Sequence, residues 1–294
     1  MPKGSPFTAL CRRAAELARP VAADLHAHTT ASDGDYTPSQ VVALAKAARL
    51  SAVAVTDHDT LAGVGPAAEA ARPLGIEVIP GAELTAEFGG REFHILGLFL
   101  RPNDPRLTAA LAAVCERRRE RFRRFLAALE ARGTRFPGGL AELVEQRSAS
   151  LGRRHVATML VNAGFARTRF DAFRRQLDAV ASEVPPIHRT PAADVIRLIH
   201  DAGGVPSLAH PPEDVSDDTL RALRDLGLLA VEAAFPAAKP ARSARLREAA
   251  ERLGLSLTGG SDCHGPDPAG RAVGSRGVAR ADLAALRGLA GSPG

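Results

Sequence analysis

Tryptophan is absent, tyrosine occurs once and methionine twice in 294 residues. With so few indole and phenol faces, the chain makes poor provision for stacking single-stranded nucleic-acid bases. Cysteine is scarce as well: Cys11, Cys115 and Cys263 are odd in number and form no C-x-x-C pair. That excludes a disulfide framework and a thiolate zinc site, and reads as free thiols in a reducing compartment. No run approaches the roughly 18 uninterrupted apolar residues of a membrane helix. The first 19 residues contain no apolar stretch leading to a small-residue cleavage site, so no secretory signal is expected. These absences together predict a cytoplasmic protein without a membrane partner.

What is present is a globular composition. Hydrophobic residues make up 45% and charged residues 24%, which argues against disorder, and the length allows one large α/β domain or two smaller ones. The net charge of +5 is unevenly spread. Residues 105–187 hold 16 Arg against 8 Asp or Glu, net +8, whereas the remainder holds 22 basic and 25 acidic residues, net −3. Arg117, Arg118, Arg119, Arg121, Arg123 and Arg124 form the densest run. Two readings compete for it: a solvated helix face, or an electrostatic collar for an anionic substrate.

Short apolar or β-branched runs at 21–25, 51–56, 76–81, 92–99, 205–210, 228–234 and 255–260 predict about seven strands. Helix-period segments between them predict parallel strands joined by crossover helices, an α/β fold. Helices are expected to start at Thr37 with Pro38, at Thr60, at Thr190 with Pro191, near Ser216 and near Pro240, and a glycine-terminated helix end at 252–255. Residues 105–187 break the rhythm. They predict a long helix over about 107–131, a breaker at 132–139, and shorter helices around 140–147, 153–163 and 169–179, with 184–186 as a return linker. The organisation expected is an N-terminal extension (1–19), a barrel domain in two parts (20–104 and 188–294), and a basic α-helical insertion (105–187) that recognises substrate.

The chemistry begins at Asp24-Leu25-His26-Ala27-His28, at the end of the first expected strand. Residues two apart in a strand face the same way, so His26 and His28 could grip one metal. At this histidine content roughly one such chain in four holds an H-x-H pair by chance, so the pair needs context. The context is that further ligand-type residues recur at the ends of later strands: Asp57, His58 and Asp59; Glu83; His94; His210; Asp262 and His264. In barrels of parallel strands that rim is where active sites assemble. Asp57 and Asp59 read as turn formers or helix caps before they read as ligands. Asp33 has the setting of an ordinary turn residue. His155, His188 and His200 fit no strand end, and Cys263 should face away from Asp262 and His264.

The run DLHAHTTASDG, followed by TDHD, PGAEL, FHILGLF, LAHP and GGSDCHG, resembles the PHP (polymerase and histidinol phosphatase) superfamily of metal-dependent phosphoesterases. The resemblance covers residues 21–104 and about 190–278. Within it, the inserted helical segment and RLIHDAGGVPSLAHP are similar to bacterial enzymes that hydrolyse nucleoside 3',5'-bisphosphates, some of which also trim short RNA from the 5' end. The resemblance implies a distorted (β/α)7 barrel with a trinuclear site. One metal would be held by His26, His28, Glu83 and Asp262, a second by Glu83, His94 and His210, and a third by Asp33, His58 and His264. Such ligands suit Mn, Zn or Fe, with manganese expected first.

Two divalent ions lower the pKa of a bridging water, and the resulting hydroxide attacks in line while the ions clamp the phosphoryl oxygens. His58 and His264 would position the leaving oxygen. Residues 152–157 resemble a Gly-Arg-Pro-His-x-Ala stretch of these relatives, which implies that Arg153 and His155 contact a second phosphate. Arg154 stands where the relatives have proline. The stretch LDAVASEVPP lacks their lysine, whose contact would pass to Arg174, Arg175 or Arg189, and AAFPAAKP departs from their tyrosine and histidine pattern.

The expected function is therefore metal-dependent hydrolysis of a phosphate monoester on a nucleoside 3',5'-bisphosphate, with short 5'-phosphorylated RNA as a related substrate and no obligate protein partner. One alternative is a phosphatase of another small phosphomonoester such as histidinol phosphate, against which the basic insertion argues. The other is a non-catalytic RNA-binding module, against which the intact ligand set and the shortage of aromatics argue.

Overall fold

The computed structural model describes residues 6–17, 21–185, 190–266 and 269–291. His188, Arg189, the end of the expected linker at 184–186 and parts of the 1–19 extension lie outside the described residues.

Eight strands form one sheet: β1 (Ala23–Asp24), β2 (Ala52–Val55), β3 (Glu77–Phe88), β4 (Arg91–Leu98), β5 (Thr190–Pro191), β6 (Val205–Leu208), β7 (Ala230–Ala234) and β8 (Ser256–Gly259). Their order is β1-β2-β3-β4-β6-β7-β8, with β5 beside β3. The sheet curls until its edges meet. Leu25 N donates to Gly259 O at 3.1 Å, Asp262 N to His26 O at 2.8 Å and His28 N to Cys263 O at 2.9 Å, so the barrel is nearly closed.

Each of the seven expected strand segments carries a strand, but the all-parallel expectation fails at β4. That strand runs antiparallel to both β3 and β6. The cause is local: Gly89 and Gly90 take φ of +60° and +76°, the two left-handed residues that a tight hairpin needs, so β3 returns at once as β4 without a crossover helix. The eighth strand, β5, occupies the place where a helix start was expected.

The helices are α1 (Pro6–Leu17), α2 (Pro38–Ala47), α3 (Val64–Ala71), α4 (Pro105–Ala131), α5 (Leu140–Arg147), α6 (Arg153–Asn162), α7 (Arg169–Ala172), α8 (Asp178–Val180), α9 (Ala192–Asp201), α10 (Asp217–Asp225), α11 (Pro240–Leu253) and α12 (Arg280–Leu289). A π-helical turn over Phe173–Leu177 joins α7 to α8. Thr37 caps α2 in a capping box with Gln40 ahead of Pro38, and Ser216 caps α10; each such cap contributes about 1 kcal/mol. Helix α3 begins at Val64, not at Thr60, because the Thr60 hydroxyl accepts from Ala62 N at 3.2 Å and closes a turn first.

Leu25, Ile79, Leu96 and Leu98 fill the barrel and meet Leu283 and Leu286 of α12. The insertion has its own apolar cluster, in which Phe122, Phe125 and Leu129 of α4 pack on Met159 and Leu160 of α6. Helix α4 serves both parts: Leu107 and Leu111 near its start pack with Ile196 and Ile199 of α9 on the barrel. The insertion is thereby held over one end of the barrel by a continuous helix. Among the described residues no helix is long and apolar enough to cross a membrane.

Candidate metal centre

The strand ends deliver their polar side chains to one rim. His26 and His28 follow β1, with Ala27 between them turned into the core. His58 follows β2, Glu83 lies on β3, His210 follows β6, and Asp262 and His264 follow β8 with Cys263 turned into the core between them. His94 arrives differently. Because β4 is antiparallel, the beginning of the strand, not its end, lies at this rim, and His94 is its fourth residue. Three of the five non-glycine residues with positive φ among the described residues cluster here: Asp59 (+50°), His210 (+25°) and Asp262 (+48°). Such conformations cost about 1–3 kcal/mol each and persist where the surroundings dictate them.

Glu83 is the hub. Its Oε2 lies 3.3 Å from His26 Nε2, 3.2 Å from His28 Nε2 and 3.0 Å from His58 Nδ1. Its Oε1 lies 2.7 Å from His94 Nδ1 and 2.8 Å from His210 Nε2. Asp262 Oδ1 stands 3.6 and 3.4 Å from His26 and His28. His264 Nε2 is 3.3 Å and His58 Nε2 3.9 Å from Asp33 Oδ1. All nine residues expected as ligands thus converge. Four sets have ligand atoms close enough to share an ion: His26 with His28 and Asp262; His26 with Glu83 and His210; His58 with Glu83 and His94; and His28 with Asp33, His58 and His264.

This donor set fits cations. His26 Nε2 and His28 Nε2 face each other at 3.1 Å, and His28 Nδ1, Asp33 Oδ1, His58 Nδ1 and Glu83 Oε2 are buried without a hydrogen-bond partner. Ligand atoms about 2.1 Å from a common tetrahedral ion lie roughly 3.4 Å apart, which is the spacing seen here. Protonation follows the same geometry. Burial works against a charged His28, yet Asp262 and Glu83 push its imidazole up to about 9; against the same burial, Glu83 and Glu92 push His94 up to about 10. Burial would raise Glu83, but His58, His94 and His26 hold it well below the usual carboxylate range. Without a cation, the neighbouring carboxylates favour the protonated forms of His28 and His94, whereas burial holds His58 down.

Several supporting groups escaped sequence reasoning. Glu232, fully buried on β7, accepts from His210 N at 2.7 Å and lies 3.2 Å from His26 Nδ1. Asp24 accepts from the backbone of His26, Ser261 and Gly274, and burial pushes its carboxyl up to about 6 despite those bonds. The only hint of either in the sequence was an acidic residue inside an apolar strand. Asp57 binds Thr29 and Ser32 and so shapes the Asp33 loop, while Asp59 pairs with Arg118 at 2.6 Å. His200 Nε2 donates to Gly227 O at 2.8 Å, away from the rim.

Above the rim lies a cleft of about 310 Å³ whose floor includes Asp33, His58 and His94 and whose walls include Arg118, Arg121, Arg153, Arg154 and Phe173 of the insertion. Arg153 therefore faces the cleft. His155 does not line it: its Nδ1 accepts from Gly152 N at 3.0 Å and its Nε2 meets Ser32 O at 2.9 Å. Arg154 reaches Asp33 O at 2.9 Å and both Asp35 and His264 O at 3.1 Å, tying the insertion to two ligand loops.

The PHP domain family matches residues 24–160. The 3',5'-nucleoside bisphosphate phosphatase of Chromobacterium violaceum is 33% identical over 258 residues, which cover 85% of this chain and 90% of that protein. This chain belongs to the PHP family. The 5'-3' exoribonuclease Rnm of Escherichia coli is similarly related, 34% identical over 83% of this chain and 86% of its own. Among solved structures, a chain from Bifidobacterium adolescentis described as a metal-dependent phosphoesterase superposes with a TM-score of 0.84 at 29% identity, covering 93% of this chain and 98% of its own. In this PHP protein the family and the histidine and carboxylate clusters agree on divalent-metal binding, and the rim carries side chains close enough to hold an ion.

Proposed function

We propose that this protein is a metal-dependent phosphoesterase that removes a phosphate from nucleoside 3',5'-bisphosphates, with short 5'-phosphorylated RNA as an extended substrate. The observation that carries the reading is Glu83, a fully buried carboxylate with five imidazole nitrogens within 3.3 Å. No structural role explains that expense of buried polar groups, whereas charge-dense phosphoryl chemistry requires it.

His26, His28, Glu83 and Asp262 would hold one cation, Glu83, His94 and His210 a second, and Asp33, His58 and His264 a third; the mixed nitrogen and oxygen donors suit manganese, zinc or iron, and manganese is the first to test. When bound, divalent cations supply an acidified water and neutralise the phosphoryl oxygens. The chain's own residues do the rest. Glu232 orients His26, and Arg154 keeps Asp33 and His264 in register. His58, on the cleft floor, and His264 beside it position the leaving oxygen. Arg153 offers a planar fork to the second phosphate, which a monophosphate such as histidinol phosphate lacks. His155 acts from behind, holding Gly152 and Ser32 in place for that contact.

The test is release of inorganic phosphate from adenosine 3',5'-bisphosphate by manganese-reconstituted protein, with histidinol phosphate alongside. Turnover should follow the bisphosphate and vanish in His26→Ala and Glu83→Gln. Absence of turnover on both the bisphosphate and a short 5'-phosphorylated RNA would refute the assignment.

A further inference from the structure

Phe170 is 71% exposed, the most solvent-exposed large apolar side chain among the described residues. It is not isolated. The Arg174 guanidinium lies 5.9 Å from its ring centre, and one step inward Arg153 lies 5.7 Å from the ring centre of Phe173. Phe173 and Arg153 both line the cleft. Phe170 and Phe173 are three residues apart on one helical segment, which makes them surface neighbours. The rings of two arginine–phenylalanine pairs therefore follow one another along the chain, one pair on the cleft wall and the other exposed to solvent and not part of the cleft lining.

Each pair presents an aromatic face together with a cation, the combination that single-stranded nucleic acid uses: a base stacks on the ring while the guanidinium meets the backbone. The insertion that carries them holds 16 Arg against 8 acidic residues, so its field favours a polyanion. A protein-docking patch would require contiguous apolar area, whereas Phe170 sits between Arg169 and Asp171. The aromatic faces that tryptophan and tyrosine do not supply are offered here by phenylalanines.

We propose that Phe170 and Arg174 form a second nucleotide subsite, outside the cleft, for an RNA strand whose 5' phosphate lies at the metal centre. The proposal rests on the phosphoesterase reading above. It separates two substrate classes: a mononucleotide bisphosphate ends inside the cleft and never reaches Phe170, while an oligonucleotide does.

The experiment compares wild type, Phe170→Ala and Phe170→Trp on adenosine 3',5'-bisphosphate and on 5'-phosphorylated tetraadenylate, all with manganese. Loss of one stacked base is expected to raise KM for the tetramer about 5- to 100-fold relative to KM for the bisphosphate in the alanine variant. Phe170→Trp should restore the ratio. Because the chain has no tryptophan, that variant also reports directly: its fluorescence should be quenched by the tetramer and not by the bisphosphate. Arg174→Ala should lower the salt dependence of tetramer binding by about one unit of slope. An unchanged KM ratio in Phe170→Ala, an unquenched indole, or a wild type that accepts the bisphosphate but never the tetramer overturns the subsite. A wild type that turns over neither compound overturns the phosphoesterase reading instead.

Discussion

Replacing Arg118 with methionine should destabilise this protein by about 3–5 kcal/mol, far more than loss of a surface ion pair. Arg118 reaches from α4 to Asp59 Oδ2 with Nε at 2.7 Å and Nη2 at 2.6 Å, and its Nη2 also donates to Thr85 Oγ1 at 3.2 Å. The two side chains are only 13% and 2% exposed. Burial works against the guanidinium, yet Asp59 holds it above its ordinary range. Methionine fills most of the volume but leaves the Asp59 carboxylate buried, with only Thr85 N (3.1 Å) and the longer Thr85 Oγ1 contact (3.4 Å) as donors from Thr85. The penalty is the desolvation of that charge, so it should largely disappear when the charge goes too. Asp59→Asn alone should also be costly, and the double variant should recover about 2–3 kcal/mol of the summed losses. Guanidinium unfolding of the metal-free protein measures this as a shift of midpoint at constant slope. A loss below about 1 kcal/mol in Arg118→Met, or strictly additive single losses, would refute a buried, coupled pair.

Other perturbations read the metal centre itself. Glu232→Gln keeps the shape of β7 but weakens the hold on His26, so metal affinity should fall about 10- to 100-fold; equilibrium dialysis against a graded chelator checks it, and unchanged affinity would deny Glu232 an orienting role. Arg154→Ala should lower metal affinity by about tenfold, and lysine should not rescue it because a point charge cannot span Asp33 O, Asp35 and His264 O together. Metal content after dialysis is the readout, and full occupancy in the alanine variant would count against the tie. Metal uptake should also release protons. His28 and His94 titrate near 9 and 10 in the metal-free protein, so below those values each carries a proton that a cation must displace. Affinity should therefore rise with pH, by up to about tenfold per unit for each proton displaced. Calorimetry in buffers of different ionisation enthalpy counts those protons, and a count of zero at pH 7 would contradict the arrangement around Glu83.

The rim was legible because strand alternation is a local property. His26 and His28 share a face, Ala27 and Cys263 turn inward, and those parities are set within two residues. Strand direction was less visible, although its cause was in plain sight: Phe88-Gly89-Gly90-Arg91 is a hairpin signal, and reading it would have put His94 at the start of its strand. Glu232 could not be singled out, since a buried acid on β7 acquires its role only when β6 brings His210 alongside.

The arginine run shows where such reasoning reaches its boundary. Arg119 pairs with Glu116, Arg123 with Glu145 and Arg124 with Glu120 on an exposed face, whereas Arg118 and Arg121 join Phe122 and Phe125 along the cleft. The solvated-face reading describes one stripe of the helix, while the other stripe lines the cleft. A period of 3.6 residues separates the stripes, but which one faces the metal centre is decided by where Leu107 and Leu111 dock on the barrel, ten and six residues before the run begins at Arg117. The inward stripe then meets Asp59, and that pairing converts a helix-surface charge into a fixed part of the cleft wall.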